Sequence, residues 1–234
     1  MALIVLGATI GIIIKDKLKQ RFQDTIMNAL GLAVMFIGVS GALQGILTVK
    51  SSSLETANIM LMIVSLALGA FIGELIDIEA RLDKLGEFIK KSLKVKGEKG
   101  KGFVEGFVNS SLLFCIGAMA IIGSLEDGLS GDTSMLFAKA VIDGVVAVFF
   151  AATLGIGVFF SILPLGLYQG IITISATYIE PFLSDQLITN ISFIGSILIF
   201  GIGINMIFGK KIKCGNLLPA VLVPVVYEFI MRLF

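Results

Sequence analysis

The chain has 234 residues, 56% of them hydrophobic and 15% charged, with a net charge of +1 and a mean hydropathy of +1.01. So apolar a composition excludes a soluble domain; it reads as an integral membrane protein whose first partner is the lipid bilayer, with no nucleic-acid partner. Histidine is absent, which removes the commonest metal ligand and the base of Ser-His or Cys-His chemistry, so no enzyme activity, cofactor or metal site is expected.

Eight apolar runs follow one another along the chain. Residues 1–14 would form a helix of about 21 Å, which crosses a bilayer only with thinning and otherwise ends as a buried half-helix. That run has no basic leader or cleavage site, so it is not read as a signal peptide. Runs two and three cover 25–49 and 57–76, run four 103–125, and run five starts near 135 and continues past 160. Run six is 166–179, run seven 188–208 and run eight 217–234, with Pro219 and Pro224 in its first two turns. A span needs about 20 apolar residues, so the expectation is a single all-α domain over 1–234, a polytopic transmembrane helical bundle of seven or eight spans.

Charge sets the expected orientation. Of 18 Lys and Arg residues, four fall in 15–23, eight in 79–102 and three in 209–214, while Glu126, Asp127, Asp132, Glu180 and Asp185 occupy the other gaps. Basic gaps mark the cytoplasmic side, which predicts a multi-pass plasma-membrane protein with both termini extracytoplasmic. Within 79–102, Ile78, Leu82, Leu85, Ile89 and Leu93 recur at spacings of four and three among Lys and Glu. That spacing predicts a cytoplasmic interfacial helix, its stripe in the headgroup layer, with 96–102 as a return.

Glycine, at 27 residues, carries the next signal, because bilayer helices associate by backbone proximity. Gly7 with Gly11 and Gly69 with Gly73 form small-xxx-small faces for internal packing or a homodimer contact. The segments around them match at five of six positions, Leu6-Gly7-Ala8-Thr9-Ile10-Gly11 against Leu68-Gly69-Ala70-Phe71-Ile72-Gly73. Gly155-Ile156-Gly157 likewise matches Gly201-Ile202-Gly203. These matches suggest repeated helix hairpins near 1–50, 51–127, 131–180 and 184–234, and the paired glycines mark Gly155, Gly157, Gly201 and Gly203 as candidate helix breaks.

Polar groups inside apolar runs are costly and therefore informative. Lys139 and Asp143, four apart on run five, share a helix face where each neutralises the other; they are the leading candidates for a solute or ion path. Amides within or bordering runs, Asn28, Gln44, Asn58, Asn109, Gln169, Asn190 and Asn205, either bond helix to helix or line such a path. Of these, Asn109, Gln169, Asn28 and Asn205 are the candidate path residues. Glu74, Asp77 and Glu228 fall near interfaces. Cys115 and Cys214 have no CxxC spacing and are read as inert thiols.

Three segments carry a family resemblance: Asp24 through Asn28 to Gly38, Asn109 through Cys115 to Gly123 and Ser124, and Tyr168-Gln169-Gly170 to Thr173. They resemble the bacterial inner-membrane family called domain of unknown function 554, the YdfK/YqgA-like proteins. The resemblance covers nearly the whole chain and is most specific from Asn109 through Glu126-Asp127-Gly128 and Asp132 to Lys139, Asp143 and Gly157. It implies a polytopic plasma-membrane protein and no particular activity.

The function class these features favour is a secondary transporter or exporter of a small polar solute or ion. Such folds place their sites where helices unwind near the midplane. An ion channel or pore and a non-transporting scaffold are the alternatives. An intramembrane aspartyl protease would need two facing interior carboxylates, and Asp143 alone reads as interior.

Overall fold

A computed structural model describes residues 1–15, 17–50, 53–95, 97–100 and 102–233. In chain order the elements are α1 (Ala2–Lys15), α2 (Gln20–Ile46), β1 (Leu47–Lys50), β2 (Ser53–Thr56), α3 (Ile59–Ile76), α4 (Ile78–Ser92), α5 (Phe103–Cys115) and α6 (Ala118–Ser130). Next come α7 (Ser134–Leu154), a 3₁₀ segment (Ile156–Ser161), α8 (Ile162–Ile174), α9 (Ala176–Ile179), α10 (Asp185–Phe208), a further 3₁₀ segment (Leu218–Leu222) and α11 (Val223–Leu233), with short 3₁₀ turns also at Gly97–Gly100 and Glu180–Phe182. Among the described residues, α2, α3, α7, Ile156–Ile174 and α10 are each long and apolar enough to cross a bilayer. α5 and α6, bent by 62° at their junction, are long and apolar enough only when taken together as one broken span, and Ala2–Lys15 and Leu218–Ile230 are shorter apolar helices. The fold is an all-α polytopic bundle with apolar side chains facing outward, and the chain is a membrane protein.

Glycine positions the helices. α2 lies along α10 because a Cβ at Gly31, Gly38 or Gly45 would overlap Ile207, the Phe200 backbone or the Phe193 ring, respectively. α1 lies along α7 in the same way: Gly7 faces the Gly144 carbonyl, Gly11 the Val148 carbonyl, and Lys15 Nζ donates to the Thr153 carbonyl at 3.0 Å. That register leaves only the first turn of α7 uncovered by α1, and Met1 lies near Lys139. Gly69 and Gly73 bring α3 against Ala220 and the Asn216 carbonyl. Both small-xxx-small faces are therefore occupied within the chain, where backbones must approach closely.

The three basic gaps gather at one end of the bundle. Lys15 caps α7 there, Lys210 Nζ reaches Asp83 at 2.7 Å and Glu79 at 2.8 Å, and Lys213 pairs with Glu74. The acidic gaps lie at the opposite end, where Gly128 packs on Thr173 and Ser184 donates to Glu228 at 2.7 Å. Packing is uneven between the two ends. The main core, with Phe103, Phe107, Phe150, Leu154, Val158 and Ile202, fills the basic half and reaches Ile4 and Leu165 beside Lys139, while a smaller cluster of Ile121, Leu125 and Ala176 packs the acidic half.

Two expectations change. The stripe of α4 is split: Leu82 and Ile89 pack on the core and Gly86 lies against Val104 and Phe107, while Leu85 and Leu93 face outward. α4 is thus docked on α5 by part of the face expected to lie among lipid headgroups. Lys96 and Lys101 of the return lie outside the described residues. Between runs two and three, β1 and β2 pair antiparallel with Leu47 opposite Thr56, a hairpin that the apolar pattern of 47–56 did not announce.

Candidate functional site

Run four folds as two helices because the chain turns at Ile116 and Gly117. Gly117 has φ +141°, a region that L side chains rarely adopt, so α5 stops at Cys115 and α6 restarts at Ala118. The three-residue connection from α6 to α7 makes them an antiparallel pair, and Gly123 packs on Leu136. Six residues back from Gly123 lies Gly117; six residues on from Leu136 lies Ile142. The interruption is therefore level with Lys139 and Asp143, near the middle of the 21-residue α7.

Beside the interruption is a cavity of about 890 Å³, within the roughly 300–1,000 Å³ usual for ligand sites. Its walls come from α2 (Ser40, Gln44), the break (Ile116–Ala118), α7 (Lys139, Asp143) and α10 (Ser192, Ser196). Asp185 and Thr189, both exposed, stand at the rim nearer the acidic end. Lys139 Nζ donates to Asp143 Oδ2, and the two residues are 7% and 8% exposed. The same pair lines a second cavity of about 180 Å³ with Met1, Leu165 and Gln169. The ion pair is thus the wall that two cavities share. Ser192 Oγ, on the large cavity, is buried with no hydrogen-bond partner among the described residues.

The sequence-predicted residues divide sharply. Lys139 and Asp143 come together as expected, Gln44 joins them on the large cavity and Gln169 on the small one. Asn28 is exposed on α2, and half-buried Asn109 lines neither of these cavities. Asn205 is committed to the backbone. Its Nδ2 donates to the Ile212 carbonyl at 2.7 Å, and its Oδ1 accepts from Lys211 and Ile212 N–H groups at 2.8 Å, so it fixes the loop after α10. Asn58 donates to the Gly45 carbonyl at 3.0 Å, and Asn190 accepts from Gln186.

The glycine breaks also divide. The chain leaves α7 at Gly155, φ +83°, and a Cβ on Gly157 would meet the Phe103 carbonyl. This break lies at the basic end, away from the cavity. At Gly201 and Gly203 there is none: α10 runs through both, because Gly203 lets α2 approach at Gly31 and Met35. Sequence reading missed Ser40, Ser192, Ser196 and the turn at Gly117, whose one local signal was a glycine following Ile116 in run four.

At the basic end a second polar network is structural. Glu79 Oε2 accepts the Gly215 N–H at 2.6 Å, Asn216 Oδ1 accepts the Glu79 N–H at 2.7 Å, and Asn216 Nδ2 donates to Glu74 at 2.6 Å. Desolvation pulls the Lys210 ammonium down, but the Asp83 and Glu79 carboxylates reverse this and leave it above the usual lysine range. Its hydrogen bond to Glu74 raises Lys213 similarly. Burial first, then the Glu79 carboxylate, pushes the Cys214 thiol up to about 12. The Glu74, Glu79 and Asp83 contacts tie the 209–216 loop to α3 and α4, while the Cys214 thiol lies against Asn205 and the Leu198 carbonyl of α10.

The model of the protein family of unknown function DUF554 matches residues 1–229. The chain belongs to the DUF554 family. It is 34% identical over 232 residues to the uncharacterized membrane protein YdfK of Bacillus subtilis, covering 99% of this chain and 94% of that protein. It is 29% identical over 223 residues to the uncharacterized protein YqgA of Escherichia coli, covering 94% and 89%. No solved structure matches this DUF554 chain.

Proposed function

We propose that this protein is a secondary transporter or exporter of a small polar solute or ion in the bacterial plasma membrane, with its lysine-rich end cytoplasmic. One observation carries the reading: a nearly fully buried Lys139–Asp143 pair forms the wall between two cavities, level with an interrupted helix. Ionisable groups at membrane depth are costly and mark solute or proton paths, and interrupted helices supply free peptide groups there.

The uneven packing supports the same reading. The aromatic core closes the basic half while the large cavity occupies the other, an arrangement suited to access from one side at a time. An open channel would need the two cavities to join, and the ion pair stands between them. In the transport cycle Asp143 takes a proton or cation, Lys139 tunes its charge, and hairpins rock about the site. A thermal-shift screen of purified protein against ions and metabolites tests this, since a ligand of the folded state raises the melting temperature by mass action. A specific shift lost in the folded Lys139→Met/Asp143→Asn variant supports the proposal; no shift with any solute, together with no flux in liposomes, refutes it.

A further inference from the structure

The two ionised groups buried in the large cavity sum to zero, with Asp185 exposed at its rim. Lys139 brings one positive charge and Asp143 one negative, their side chains only 9% and 12% exposed. A buried charge that loses its partner is strongly unfavourable, so whatever separates these two must replace both. A cation alone could satisfy Asp143 but would leave Lys139 unpaired, and an anion alone would do the reverse. A zwitterion satisfies both and adds no net charge to a low-dielectric site.

Other features of the cavity fit the two ends of such a molecule. At the start of the 13-residue α6, Gly117, Ala118 and Met119 line the cavity, so the helix N-terminus there offers N–H donors for a carboxylate, the Ala120 N–H being already bonded to the Gly117 carbonyl at 3.2 Å. Ser192 offers a buried hydroxyl with no hydrogen-bond partner among the described residues. The rest of the wall is largely apolar, with Ile116, Ile142, Val146, Phe193 and Ile199. From this geometry we infer that the cavity binds a zwitterionic α-amino acid with an apolar side chain. Its ammonium bonds Asp143, its carboxylate bonds Lys139 and the α6 N-terminus, and its side chain lies on that apolar wall. This names the solute class for the proposed transport site and rests on that reading.

The test compares L-leucine with its two halves, 3-methylbutylamine and 4-methylpentanoate, in thermal-shift titrations of the full-length purified protein. Leucine at millimolar concentration is expected to raise the melting temperature by ~3 °C or more, and neither half to do so. Lys139→Met/Asp143→Asn is expected to lose the leucine shift. The inference is overturned if either half shifts melting as much as leucine, or if the double variant keeps the shift. The comparison of halves uses the unaltered protein, so it stands even if the variant does not fold. Flux of another solute that needs Asp143, without leucine binding, overturns the amino-acid assignment and leaves transport standing. Leucine binding with no leucine flux in liposomes keeps the site and removes transport.

Discussion

Lys139 donates to Asp143 one helical turn further along α7, and their joined side chains separate a cavity of about 890 Å³ from one of about 180 Å³. Removing one partner leaves the other charged and buried. Asp143→Asn or Lys139→Met alone is therefore expected to destabilise the protein by about 3–5 kcal/mol, whereas the double variant should lie within ~1 kcal/mol of the wild type or above it. A double-mutant cycle of thermal unfolding in detergent checks this, and equal losses in all three variants would contradict it.

The close approach of α1 to α7 is expected to reject any side chain at Gly7 or Gly11, where a Cβ meets the backbone of α7. Gly11→Val should lower stability by about 1–3 kcal/mol through overpacking. Gly170→Ala, in α8 with nothing within 4 Å of the added carbon, should raise stability by up to ~1 kcal/mol through helix propensity. Melting temperatures of the two variants, measured side by side, check the contrast.

Asn205 is assigned to the loop after α10 rather than to the solute. Asn205→Leu leaves the Lys211 and Ile212 N–H groups and the Ile212 carbonyl without their partner, at a cost of roughly 1–3 kcal/mol for each group left buried and unsatisfied. The expected outcome is lower stability with the solute affinity of the remaining folded protein unchanged. An altered affinity would return Asn205 to the path.

The loop also gives a pH dependence with a definite sign. Lys210 and Lys213 are raised by carboxylates, so their stabilisation is complete below the unfolded lysine value of about 10.4 and is lost as pH rises through their folded values. Cys214, raised to about 12, holds its proton in the fold above the unfolded value of about 8.5. Folding is then opposed as pH rises past that point. Alkylation of Cys214 is expected to be slow at pH 7–8 and to accelerate at higher pH beyond the gain in thiolate. Rapid labelling at pH 7 would contradict the clamp formed by Glu79 and Asn216.

The apolar runs marked where most helices lie, because bilayer length and composition leave little choice for such segments. The i, i+4 spacing gave the Lys139–Asp143 pair, since that contact is local to one helix. What was not legible depends on tertiary contacts. Gly155-Ile156-Gly157 and Gly201-Ile202-Gly203 have the same sequence, yet the first ends α7 against the Phe103 carbonyl and the second continues beneath α2. Glycine permits either a turn or a close approach, and the neighbouring helix decides which. Run four hid its interruption for the same reason, as nothing local sets Gly117 apart from Gly106 or Gly123. Asn205 and Asn28 read alike as amides in apolar runs, but one holds a loop and the other faces outward.

Solute flux in proteoliposomes tests the central claim most directly. Wild-type protein and the folded Lys139→Met/Asp143→Asn variant would be reconstituted at equal density and assayed with labelled amino acids, small organic anions and monovalent cations. The expected result is saturable uptake or exchange of one solute by the wild type, reduced to the level of empty liposomes in the variant. Equal flux through both proteins, or none through the wild type with any solute, would contradict the account.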